Sequence, residues 1–278
     1  MTCDCTYTDL ALERNNVSTT VFRRYGFEVS VTDADIAPIY TLGVSGLKIY
    51  PERKKSLAVK LISETISKVI PEGFTDSIEP VTVVCLGNGA VTADSLGPLC
   101  ANKIIATRLI RMFNPSLFKT LGGREISVLS PGVAGQTGIS AAEITKACVS
   151  FLKPGLVIVI DSLRAYRTER LSSVIQIASK GIIPGSGTDS SQKGISEQLL
   201  GVPVISIGVP TVVSSSSLVA ETLRSAGFEK FGAEMKRQLD ESRPFLVSSS
   251  NCADAVSNHS SYISQAINSL FLGIRGIP

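Results

Sequence analysis

The stretch Val81–Pro98, VTVVCLGNGAVTADSLGP, constrains the fold more than any other part of the chain. It opens with an unbroken apolar, β-branched run from Val81 to Leu86. Such a run reads as a strand buried on both faces, the signature of a parallel sheet covered by helices. Gly87-Asn88-Gly89 then turns the chain, and apolar spacing from Leu96 to Phe113 predicts a helix. Asp94 stands in the connection. Leu156–Ile160 repeats the pattern and is followed at once by Asp161. In an open α/β sheet the carboxyl ends of parallel strands collect ligands and catalytic groups. Both aspartates are therefore expected at that end.

The remaining elements fit one α/β domain. Alternating runs at Tyr25–Val31 and Val44–Tyr50 predict N-terminal antiparallel strands. Helical spacing covers Ser56–Ile70, and Pro71-Glu72-Gly73 ends it. Ile126–Leu129 is a strand, followed by the glycine-rich loop Ser130–Gly138. A helix follows from Ser140, with Glu143 at capping-box spacing and Ile144, Cys148, Phe151 and Leu152 as its apolar face. Val174–Ala178 and Val204–Gly208 are further strands, with Val209-Pro210-Thr211 at a loop-to-helix junction. Helices are expected near Ser215–Ala226 and Phe231–Leu239, and in the C-terminal pattern Ile263, Ile267, Leu270, Phe271. The last of these suits either a core or an interface.

Composition narrows the function. Net charge is +3, from 27 basic and 24 acidic residues, too small for nucleic acid as a main ligand. No apolar run reaches a membrane span of ~18 residues. The N-terminus lacks the pattern of a signal peptide, so the cytoplasm is the expected compartment. The single histidine, His259, argues against a His-ligated zinc site and a Ser-His-Asp triad. No phosphate-binding glycine motif is present. Cys85 and Cys148 read as small core residues, and Cys3 and Cys5 as a reduced tail.

Two facing carboxylates cannot both ionise easily, so one keeps a proton near neutral pH. One then activates water while the other donates a proton. The same pair also suits a divalent cation. Gly132, Gly135 and Gly138 either serve turn geometry or let backbone N–H groups approach a substrate carbonyl.

Leu86–Pro98, Ser130–Ile139, Ile160–Arg170, Val174–Gly187 and Gly201–Val213 together resemble the germination protease family of spore-forming bacteria. The resemblance implies a single α/β domain with a mostly parallel central sheet flanked by helices. It is similar to hydrogenase maturation endopeptidases, with added N-terminal antiparallel strands. It implies an aspartic-type endopeptidase acting on small acid-soluble spore proteins, with Asp94 and Asp161 catalytic and no cofactor. A preference for acidic cleavage sites makes Arg164, Arg167 and Arg170 candidate cations, with Gly132 and Gly135 beside the substrate. The family's self-processing maps onto Thr8-Asp9-Leu10-Ala11-Leu12-Glu13: a pro-segment of residues 1–9, a cut between Asp9 and Leu10, and a protease domain of 10–278. It further implies a homo-oligomer in the spore core, with no membrane or direct nucleic-acid partner and no bound metal. Two other readings stand beside it. One is a metal-dependent maturation endopeptidase for a metalloenzyme, the other a non-catalytic binding protein that keeps the fold.

Overall fold

The computed structural model describes residues 8–14, 17–33, 37–45, 50–182, 194–228, 232, 234–235, 237–238 and 245–273. The expected Cys3–Cys5 tail, residues 183–193, and Phe231, Ala233, Lys236 and Leu239 of the helix expected at Phe231–Leu239 lie outside the described residues. Nine described strands form one sheet: β1 (Thr19–Arg24), β2 (Phe27–Thr32), β3 (Ile39–Gly43), β4 (Val81–Cys85), β5 (Ile126–Leu129), β6 (Leu156–Ala165), β7 (Val174–Ala178), β8 (Val204–Ser214) and β9 (Leu246–Val247). Their order is β1-β2-β3-β7-β8-β6-β4-β5, and β9 pairs with β8. The β5-β4-β6-β8 half is parallel. The β1-β2-β3-β7 half is antiparallel, and β7 joins β8 antiparallel. The third strand is Ile39–Gly43, upstream of the expected Val44–Tyr50 run.

The helices are α1 (Glu52–Val69), α2 (Leu96–Ala101), α3 (Arg108–Phe113), α4 (Pro115–Thr120), α5 (Ala134–Thr137), α6 (Ala141–Leu152), α7 (Glu197–Leu200), α8 (Ser215–Ser225) and α9 (Cys252–Leu272). Strand alternation sorts the core into two layers. Val81, Val83, Cys85, Ile158 and Ile160 face α1 and α9, whose Ile62, Ile66, Ile263 and Ile267 complete that layer. Val84, Leu86, Val157 and Val159 face the other way, against Ala141, Ala142 and Val149 of α6. Each such side chain contributes about 1.5–3 kcal/mol by leaving water, and burial on both faces explains the unbroken apolar runs.

Three expectations are corrected. The Leu96–Phe113 helix is broken into α2 and α3. α9 holds the gap, because Asn268 accepts the Ile105 N–H and donates to the Lys103 carbonyl. Lys103 Nζ adds to that contact, donating to Ser260 and Ser261 of α9 at 2.7 and 2.8 Å. Finally, α6 buries Ala141, Ala142, Thr145 and Val149 rather than the expected face. Phe151 is 76% exposed, and Cys148 is half-buried where a core residue was expected. Ile263, Ile267 and Phe271 of α9 lie in the core. No described helix is long and apolar enough to cross a membrane.

Candidate active site

Asp94 is placed by two glycines. β4 ends at Cys85, and Gly87 turns the chain at φ +112°, a left-handed conformation closed to most side chains. The Thr92–Asp94 turn then folds back over it, so a Cβ on Gly87 would lie 2.1 Å from the Asp94 carbonyl oxygen. Gly97, in the first turn of α2, sits flat on the strand end: its Cβ would meet the Leu86 carbonyl oxygen at 2.0 Å. Asp94 Oδ2 accepts the Asn88 N–H at 2.8 Å. Partial burial raises its pKa above the ordinary carboxylate range, and the Asn88 bond opposes that rise.

Asp161 does not close its strand, as the sequence reading had it. β6 runs on to Ala165 because β8 also continues, pairing Val209–Val213 with Ser162–Ala165. Val209-Pro210-Thr211 is thus strand, not a loop-to-helix junction. What ends at this level is β4. Cys85 pairs with Ile160, and Asp161 is the first residue of β6 beyond it. The aspartate therefore projects where its neighbour strand has stopped. It is 5% exposed, and Oδ1 accepts the Ser162 N–H at 2.8 Å. Burial first, then the charge of Asp94, pushes its pKa well above the ordinary range, with a smaller push from Asp9.

The two carboxyl groups line one cavity of about 530 Å³. Gly132, Gly135, Arg164, Asp9, Ser162 and Thr211 also line it. Gly132 has φ +72°, and a Cβ on Gly135 would meet nothing within 4 Å. Arg167 and Arg170 are not among the lining residues; both approach Glu169, at 3.5 and 3.7 Å. So the structure brings Arg164 to the aspartates and leaves the other two arginines outside.

The N-terminal segment is docked on the same strands. The Asp9 N–H donates to the Arg164 carbonyl at 2.9 Å, and the Arg164 N–H donates to Asp9 Oδ2 at 2.7 Å. Gln176 of β7 donates to the Asp9 carbonyl and accepts the Ala11 N–H at 2.8 Å. Glu13 accepts the N–H groups of Tyr166 and Arg167 at 2.7 and 2.9 Å. Leu10 is wholly buried against Leu163, Ala165, Val174 and Val213. Gln176 had no role in the sequence reading, and Glu13 none beyond the substrate-like pattern. The signal for Glu13 was present, in the acid that closes the Asp9–Glu13 pattern. Gln176 carried none, because its role depends on the strand order.

Among the described residues no group of three or more His, Cys, Asp or Glu side chains is placed to hold a metal ion. His259 is buried in α9, away from the lining residues, with Nε2 against the Ser172 carbonyl at 2.9 Å.

A family model described as germination protease matches residues 35–276. A germination protease of Clostridium acetobutylicum is 37% identical over 183 residues, covering 66% of this chain and 56% of that protein. One of Bacillus cereus (strain AH187) is 35% identical over 206 residues, 74% of this chain and 56% of that protein. The chain thus spans little more than half the length of the curated relatives it matches. Among solved structures, the [NiFe] hydrogenase maturation protease HycI from Thermococcus kodakarensis KOD1 aligns with TM-score 0.36 and 13% identity. That alignment covers 68% of this chain and 92% of that one.

Proposed function

The chain belongs to the germination protease family, and from that premise we propose that it is an endopeptidase cutting small acid-soluble spore proteins in the spore core. The observation that carries the reading is the shared cavity of Asp94 and Asp161, one carboxyl half-buried and the other fully buried. Asp161, almost fully buried and beside a second carboxylate, is the member of the pair that holds the proton more strongly. Asp94, partly wet and bonded to the Asn88 N–H, is the ionised member. Asp94 takes a proton from water as its oxygen attacks the scissile carbonyl carbon. Asp161 gives its proton to the departing amide nitrogen, and the C–N bond breaks. The acquired proton on Asp94 returns to the pair when product leaves. Arg164, alone of the three candidate arginines in lining the cavity, faces the acidic residue of the substrate. Gly132, Val133, Ala134 and Gly135 line the same cavity, so their backbone suits a substrate carbonyl. Exposed Leu109, Met112, Phe113 and Phe151 support a homo-oligomer.

The docked Asp9–Glu13 segment supports self-processing between Asp9 and Leu10, which makes residues 1–9 a pro-segment and 10–278 the protease domain. It brings the carboxylates of Asp9 and Glu13 to the end of β6, the strand that already carries Asp161. Burial raises Glu13 as it does Asp161. Groups with raised pKa favour the docked state below their ordinary values and withdraw that support as pH rises through the raised ones. Mild acid therefore seats the segment and keeps the aspartate pair charged with its proton.

The test is incubation of the purified chain with a small acid-soluble spore protein, with and without chelator. Cleavage after acidic residues that persists in chelator is expected. Cleavage that needs added metal would move the assignment to a metal-dependent maturation enzyme, and no cleavage of any protein would leave a binding protein.

A further inference from the structure

Thr211 has an unusual position in β8. Leu163 of β6 pairs with Pro210 and Arg164 with Val212, so Thr211 is the extra residue of a β-bulge. Bulges re-aim one side chain out of the strand's alternation and recur beside active sites. Pro210 contributes no N–H at this point, which permits the irregularity. Thr211 is 0% exposed, lines the cavity of Asp94 and Asp161, and its Oγ1 has no hydrogen-bond partner among the described residues. A buried hydroxyl left unpaired costs about 1–3 kcal/mol. Nothing in the packing calls for it, since Val209, Val212 and Val213 are its neighbours and valine has the same shape. Ser162, on the adjoining strand and in the same cavity, also has a buried Oγ without a partner among the described residues. Two unpaired hydroxyls thus accompany the two carboxyls in a cavity whose other lining is largely aliphatic.

We propose that Thr211 is a substrate-contacting residue, its hydroxyl donating a hydrogen bond to a backbone carbonyl of the polypeptide that lies across the aspartate pair. This rests on the endopeptidase reading above. A backbone carbonyl is the acceptor every polypeptide brings, so the contact holds the chain in register whatever its side chains. The hydroxyl's cost is recovered when the substrate arrives.

Thr211→Val removes the hydroxyl and keeps the shape. With a spore protein as substrate, kcat/KM of Thr211→Val falls roughly three- to tenfold, the scale of one net hydrogen bond, mainly through KM. Its melting temperature stays at or above the parent's, and Thr211→Ser restores the parent KM. Parent-like KM in Thr211→Val, whether or not melting changes, would overturn the inference and leave the endopeptidase reading intact. If the parent cuts nothing, that reading fails by itself. Binding of a synthetic Thr-Asp-Leu-Ala-Leu-Glu peptide to Asp94→Asn, with and without Thr211→Val, then decides the contact: weaker binding in the double variant sustains it, and equal binding overturns it.

Discussion

Asp161 shows how one side chain can be legible in the sequence while its surroundings are not. A lone acid directly after Leu156–Ile160 marked the spot. The continuation of β6 to Ala165 had no local signal, because Ser162-Leu163-Arg164-Ala165 mixes polar and apolar residues as a loop does. It is held by β8, some fifty residues downstream. The difference matters for mutagenesis, since Asp161 is buried in a strand rather than free in a loop. Its raised pKa means that its contribution to stability is present below the ordinary carboxylate range and is lost as pH rises through the raised value. Asp161→Asn, which keeps an acceptor for the Ser162 N–H, should therefore melt at or above the parent at pH 8, and the gap should close toward pH 4. A variant melting well below the parent at pH 8 would contradict the assigned burial cost. Gly97 makes the opposite case. Its Cβ would lie 2.0 Å from the Leu86 carbonyl, against backbone that cannot move without shifting the Asp94 turn. Gly97→Ala should lose about 1–3 kcal/mol or more in denaturant unfolding, and activity beyond that loss. An unchanged midpoint would mean that α2 does not rest on β4 as described.

At the scale of elements, strands were read better than helices, and the reason is physical. Strands buried on both faces announce themselves as apolar runs, and β4, β5, β6 and β7 begin where those runs begin. Helix breaks depend on partners far away in sequence. The gap between α2 and α3 exists because Asn268 accepts the Ile105 N–H and the Ile126 carbonyl accepts the Thr107 N–H, groups that a continuous helix would have used. The serines of α9 lack an apolar pattern of their own, yet Ser260, Ser261 and Ser264 bond Lys103 and the Cys100 carbonyl across the packed face. Where a local device sets the boundary, the reading held. Ser140 accepts the Glu143 N–H and Glu143 accepts the Ser140 N–H, a capping box at the start of α6. Ser140→Ala should cost about 1 kcal/mol, measured as a shift in the denaturant midpoint at constant slope. Because α6 follows directly on α5 and the Gly132–Gly135 wall, that loss should also loosen the cavity wall and raise KM. A stability loss with unchanged KM would separate the cap from the site.

For the whole molecule, one sheet joins an antiparallel half to a parallel half, and the N-terminal segment docks where they meet, against β6 beside Asp161 and against Gln176 of β7. The sequence showed both ingredients, but not that Gln176 of β7 would grip Asp9 and Ala11 beside the cavity. That contact arises from strand order, which no single stretch encodes. Incubated at mildly acidic pH, the intact chain should lose residues 1–9 and show a new N-terminus at Leu10 by mass spectrometry. As pH rises through the raised values the loss should slow, because Glu13 and Asp161 then give up the protons that favour docking. Cutting elsewhere, or faster at high pH, would contradict the proposal. The central claim is that Asp94 and Asp161 together do the chemistry, and it is tested most directly by the rate at which a small acid-soluble spore protein is cut by the parent, Asp94→Asn and Asp161→Asn. The account predicts a loss of at least ~10²-fold in each variant, the scale of one acid or base group, with folding retained. Near-parental cutting by either folded variant would contradict it.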